Sequence, residues 1–120
     1  MNTLKRVLVV DDEPDICDML REILEMEGFE VETATRSENA FALVRENPPD
    51  IAVLDVLLKD DINGVEIFKK IKNLSPDTKT IMMTAFSVQE LLDEAIAQGA
   101  VAALSKPLAL ESFIQMLDEL

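Results

Sequence analysis

Two adjacent carboxylates, Asp11 and Asp12, directly follow the apolar run Val7 to Val10, and a third, Asp55, directly follows the run Ile51 to Leu54. Thr84 comes directly after Thr80 to Met83, and Lys106 stands just past Val101 to Leu104. If these runs are strands of an open α/β sheet, the polar residues share one rim, because such sheets bind ligands beyond the carboxyl ends of their strands. Carboxylates brought within a few ångströms of one another repel, so they either hold protons or are compensated by a cation, and the cation is the simpler answer here. Mg²⁺ fits such a rim, since it takes one or two carboxylates together with waters and phosphate oxygens, whereas Ca²⁺ wants more protein oxygens. It would screen Asp55 from an approaching anionic phosphoryl group, while Lys106 and Thr84 bind the outer phosphoryl oxygens. Asp55 would then act as a carboxylate nucleophile and form an aspartyl-phosphate.

Taken singly, these residues have ordinary readings. Paired aspartates after a strand cap helices, a strand-end threonine is common, and a surface lysine snorkels. The weight lies in their joint spacing, which requires elements to place them. The chain has 120 residues, 48% of them apolar, which is enough for one domain over residues 1–120 with a single substantial core. With 24 acidic against 11 basic residues the formal charge is −13, which argues against direct nucleic-acid binding and leaves basic partners and divalent cations open. The single Cys17 can form neither an internal disulfide nor a thiolate cluster, and it is expected to be a small core residue. No histidine is present to serve as phosphodonor or metal ligand. The amino-terminal apolar run is too short for a signal or membrane segment, so a cytoplasmic protein without membrane contact is expected.

Five short β-branched or apolar runs, Val7 to Val10, Glu30 to Ala34, Ile51 to Leu54, Thr80 to Met83 and Val101 to Leu104, alternate with stretches of helical period. The first, third and fourth are nearly all apolar and predict central strands; the second alternates and predicts an edge. Pro14 suits the first turn of the first helix, and Gly28 its end. Asn63 with Glu66, and Ser87 with Glu90, have capping-box spacing, and Ser37 is the candidate cap of the second helix. Phe113, Ile114 and Leu117 mark one face of a fifth helix from about Leu110, and Met19, Met26, Met82, Met83 and Met116 are expected to fill the core. The chain ends at Leu120 inside a helical pattern, which fits a piece of a longer protein.

Val7-Leu8-Val9-Val10-Asp11-Asp12-Glu13-Pro14, Pro49-Asp50-Ile51-Ala52-Val53-Leu54-Asp55, Met83-Thr84-Ala85, Gly99-Ala100 and Ser105-Lys106-Pro107 occur in order across the chain. Together they resemble the receiver domains of response regulators. The resemblance implies a flavodoxin-like, doubly wound α/β fold of (βα)₅ type with a five-stranded parallel sheet in the order 2-1-3-4-5. It implies that Asp55 is the phosphoacceptor, that Asp11 and Asp12 hold Mg²⁺ with Asp55 and the backbone carbonyl of Leu57, that Thr84 is the switch hydroxyl and that Lys106 pairs with the phosphate. It further implies a histidine kinase or phosphotransfer protein as donor, and a downstream protein or an attached effector domain as target, without conventional enzymatic turnover.

Two features depart from that pattern. Ala103 stands three before Lys106, where the family commonly has an aromatic residue; Phe86 is the nearest candidate substitute. The loop after Asp55 reads Val56-Leu57-Leu58-Lys59-Asp60-Asp61-Ile62-Asn63-Gly64, an apparent insertion between Lys59 and Gly64. Both favour a rival, a degenerate receiver that binds a partner without phosphorylation. A phosphohydrolase of the haloacid-dehalogenase type would need a second Asp where Leu57 stands, and a nucleotide or flavin binder would need glycines in the first βα turn.

Overall fold

In the computed structural model, which describes residues 4–55, 58, 63–84, 89–105 and 109–120, each apolar run forms a strand. The strands are β1 (Arg6–Val10), β2 (Glu30–Ala34), β3 (Ile51–Asp55), β4 (Lys79–Thr84) and β5 (Ala102–Ser105). Between and after them run α1 (Pro14–Met26), α2 (Ser37–Glu46), α3 (Gly64–Leu74), α4 (Gln89–Ala97) and α5 (Leu110–Glu119). All neighbouring strands are parallel, in the order β2-β1-β3-β4-β5. Parallel strands need crossover helices, which cover both faces of the sheet, so β3 is buried along its whole length.

Strand alternation divides the core in two. Val7, Val9, Ile51, Val53, Ile81 and Met83 face α1 and α5, where they meet Cys17, Leu20, Leu24, Phe113 and Leu117. Leu8, Val10, Ala52, Leu54 and Met82 face α2, α3 and α4, where they meet Phe41, Val44, Ile67, Phe68, Ile71 and Ala95. β2 is an edge strand as expected, but its burial does not alternate: Val31 and Ala34 are buried on opposite faces, Thr33 is only half-buried and Glu30 is exposed, because helices cover both faces of the sheet even at this edge.

The helix ends show which local signals act. Gly28, at φ +93°, turns the chain out of α1; its N–H donates to Glu25 O at 3.1 Å, and the Phe29 N–H donates to Leu24 O at 3.0 Å. Asn63 caps α3 as expected, its side chain accepting from the Glu66 N–H at 3.0 Å. The second helix differs from expectation: Arg36 holds the cap position and Ser37 is the first helical residue, buried. Two methionines differ as well. Met19 and Met26 are 46% and 80% exposed, because the inward stripe of α1 is already filled by Cys17, Leu20 and Leu24. Met82 and Met83 are buried, and Met116 packs partly buried against the α1–α5 side. The expected Ser87 cap lies outside the described residues.

No neighbouring atom lies within 4 Å of a Cβ built on Gly28, so Gly28→Ala tests the backbone alone. The expected loss is about 1–2 kcal/mol, the cost of a left-handed L-residue, and Asn63→Ala should lose about 1 kcal/mol from the missing cap. Denaturant unfolding measures both; a Gly28→Ala midpoint equal to wild type would show that this turn does not require a positive φ.

Candidate functional site

The register of the sheet brings the acidic residues together. Val10 of β1 lies opposite Leu54 of β3, so the next step along both strands sets Asp11 beside Asp55. By alternation both continue the face that carries Val9 and Val53. One carboxylate oxygen each from Asp11, Asp12 and Asp55 lie within 4.8 Å of one another. Asp11 is 0% and Asp55 7% exposed, while Asp12 is half-buried at the mouth.

The turn after β1 holds Asp11 through several bonds. Its N–H donates to the Ala34 carbonyl at 3.1 Å, continuing the β1–β2 pairing one residue past the strands. Its carboxylate accepts from the Glu13 N–H at 2.9 Å, an aspartate turn that starts the chain toward α1. Pro14 then occupies the first turn, where no intrahelical N–H is needed. The Cys17 thiol, one turn further on, lies 3.4 Å from the Asp11 carbonyl oxygen and 3.9 Å from that of Ala34. Burial, and after it the negative charge of Asp11, push the Cys17 thiol up to about 11, so it is a neutral S–H at physiological pH. The sequence marked Cys17 only as core filling; its proximity to Asp11 arises because α1 packs back over the end of β1.

Thr84 ends β4 one step past Met83, which lies opposite Asp55, so the hydroxyl-bearing residue reaches the same rim, 1% exposed. Thr84 in turn lies opposite Ser105, the last residue of β5. Lys106, Leu57 and Phe86, with the loop between Lys59 and Gly64 except its cap Asn63, lie outside the described residues. Ala103 is half-buried, lies opposite Met82 and packs on the α2–α4 side of the sheet. A groove of about 440 Å³ lies at the amino-terminal end of the sheet, lined by Leu4, Arg6, Phe29 and Leu43 among others, and includes none of the acidic residues. Among the described residues no helix is long and apolar enough to cross a membrane.

The donor set fits a hard divalent cation: all three groups are carboxylates and two are withdrawn from solvent. The family model of the response regulator receiver domain matches residues 7–118. The chain is 32% identical over 111 residues to the probable transcriptional regulatory protein TcrX of Mycobacterium tuberculosis, covering 92% of this chain and 47% of that protein. It therefore spans about half the length of that relative. A CheY-like response regulator receiver domain protein from Methanospirillum hungatei superposes with a TM-score of 0.92 at 33% identity, covering 98% of this chain and 93% of that one. A Burkholderia pseudomallei response regulator, solved with a phosphorylated aspartic acid, calcium ion and citrate, superposes at 0.85 with 25% identity, covering 92% and 64%.

If the carboxylate cluster binds a cation in the folded state only, Mg²⁺ raises stability by mass action, about 2.7 kcal/mol at a hundredfold excess over Kd. Asp12→Ala should remove most of that gain. Thermal unfolding with and without Mg²⁺ measures it, and an unchanged midpoint in saturating Mg²⁺ would leave the cluster without this explanation. Cys17, being 2% exposed and protonated, should resist alkylation in the native protein and react on denaturation. Rapid native labelling, followed by mass spectrometry, would contradict its placement.

Proposed function

The chain belongs to the response regulator receiver domain family, and we propose that Asp55 accepts a phosphoryl group from a histidine kinase or phosphotransfer protein in a Mg²⁺-dependent reaction. Receiver domains of two-component response regulators are regulatory rather than conventional enzymes, and the phosphoryl group would change affinity for a downstream protein or an attached effector domain. The observation that carries this reading is the meeting of Asp11, Asp12 and Asp55 within 4.8 Å at the carboxyl rim of the sheet. The phosphorylated aspartate and calcium ion of the Burkholderia response regulator support it by analogy.

Asp55 is suited to be the nucleophile because it is the last residue of a strand buried along its length, which fixes its carboxylate against the rim. One of its oxygens forms the new bond to phosphorus as the bond from phosphorus to the donor atom breaks, and the donor leaves with that electron pair. Asp11, Asp12 and Asp55 would hold the cation, with the Leu57 carbonyl completing the protein ligands. Mg²⁺, when bound, supplies positive charge against the carboxylates and the phosphoryl oxygens. Thr84 would donate its hydroxyl to one phosphoryl oxygen, and Lys106 would pair its ammonium with another. The half-buried Ala103 cannot act as an inward-swinging aromatic, so the change at Thr84 must reach the surface by another route. That residue is also what favours the competing reading, an interaction module independent of phosphorylation.

Acetyl phosphate with Mg²⁺ should label wild type once per chain, and Asp55→Asn, which keeps the shape but loses the charge, should take up none. Equal stoichiometry in the mutant would remove Asp55 from the mechanism, and an unlabelled wild type would favour the phosphorylation-independent module. In receivers, the positions two after the phosphoacceptor and two after the switch residue flank the path of the hydrolytic water. Here they are the apolar Leu57 and Phe86, so self-dephosphorylation should be slow. Leu57→Asn should hasten it by up to about tenfold, the equivalent of one hydrogen bond of about 1.4 kcal/mol. Equal decay after donor removal would show that Leu57 does not govern the water.

A further inference from the structure

We propose that Cys17 is a positioning residue for the acidic site, its thiol fixing the backbone of Asp11 and so the turn that presents Asp11 and Asp12. The inference rests on reading those two aspartates as cation ligands. The thiol lies where three elements meet: the end of β1, the end of β2 and the first turn of α1. Its sulfur is 3.4 Å from Asp11 O and 3.9 Å from Ala34 O, the carbonyls of the two residues that already pair through the Asp11 N–H. Cys17 is itself held by the helix, its N–H donating to Glu13 O at 3.2 Å. Glu13 in turn donates its own N–H to the Asp11 carboxylate.

Each polar group of Asp11 thus has a protein partner: its N–H on Ala34, its carboxylate on Glu13 and its carbonyl on Cys17. The first belongs to the sheet, whereas the other two tie Asp11 to the start of α1. A closed set of bonds of this kind reduces the conformations open to a loop before it binds a ligand, and preorganisation of that sort appears as affinity. An S–H donor is weak, so the contribution is a modest one added to the bonds of Glu13 and Ala34. Sulfur suits the position because Cys17 is buried in the apolar cluster that includes Leu20 and Val9, where a thiol is buried at lower cost than a hydroxyl.

The test compares Cys17→Ser, which keeps a donor, with Cys17→Ala and Cys17→Val, which remove it. Cys17→Val fills the space that alanine would leave empty, at the cost of about one extra methyl group in the core, and so provides a second donor-free variant if the alanine leaves too large a cavity. Mg²⁺ affinity by titration calorimetry is read alongside the carbonyl ¹³C shift of Asp11 and the unfolding midpoint. The expected result is that Ala and Val weaken Mg²⁺ binding about threefold to fivefold and move the Asp11 carbonyl resonance, while Ser stays within about twofold of wild type. Wild-type affinity in both Ala and Val would overturn the proposal whatever their stability, since a purely structural cysteine would lower the midpoint and leave the Kd unmoved. Equal weakening in Ser and Val would assign the effect to shape rather than to the donor and would also overturn it. Asp12→Ala is the control that separates the two levels: if wild type itself binds no Mg²⁺, the cation-site reading fails and the positioning role falls with it. If wild type binds, Asp12→Ala does not, and Cys17→Val binds as wild type does, the positioning role alone is lost.

Discussion

Like charge held in a confined space is the constraint on which this structure depends. Two carboxylates within 4.8 Å repel by roughly 3–4 kcal/mol at an effective dielectric of about 20, before any compensating charge is counted. The register of the sheet is what sets these carboxylates side by side. Asp55 closes a strand buried along its length and Asp11 continues the neighbouring one, and a slip of one residue in their register would turn an aspartate into the core. A rim assembled at such expense has a use for positive charge, which is what a divalent cation and a lysine beyond β5 would contribute.

The rest of the chain is organised around a scarcity of cations. Neither α4 nor α5 has a basic residue in its last turn, where the helix dipole favours one. Cations reach those ends from elsewhere: Lys72 of α3 donates to the carbonyl of Gln98 just past α4, and Lys5 donates to the carbonyls of Leu117 and Asp118 in α5. Lys69 adds an exposed pair with Glu94 at 2.8 Å, worth little by itself but placed alongside the Lys72 contact. These links hold the carboxyl ends of α4 and α5 at the end of the sheet opposite the acidic rim, without placing basic side chains on those two helices.

Much of this was legible in the sequence because the signals are local and periodic. The strand of Ile51 to Leu54 could be recognised as central because it is apolar throughout, and β2 as an edge because Val31 alternates with glutamates. Rim residues followed from those strands, since each stands at or just past a strand end. The failures have physical causes. Met19 and Met26 are as hydrophobic as Met82, but hydrophobicity alone does not say which side of α1 faces the sheet, and Cys17, Leu20 and Leu24 already fill that side. Ser37 has the chemistry of a cap, yet α2 starts one residue earlier than a serine cap would require, and the side chain is buried. The bond from Cys17 to Asp11 was not foreseeable from spacing, because it depends on how α1 folds back over the end of β1. Leu57, Lys106 and the loop between Lys59 and Gly64 rest on the family pattern alone.

The most direct test of the account is chemical identification of the phosphorylated residue. Borohydride reduces an aspartyl-phosphate to homoserine, so protein treated with acetyl phosphate and Mg²⁺, reduced, digested and sequenced by mass spectrometry, reports the acceptor without mutation. The account predicts homoserine at position 55 when Mg²⁺ is present and its loss when Mg²⁺ is chelated. Homoserine at Asp11, Asp12 or any other carboxylate, or equal yield at position 55 without a divalent cation, would contradict it.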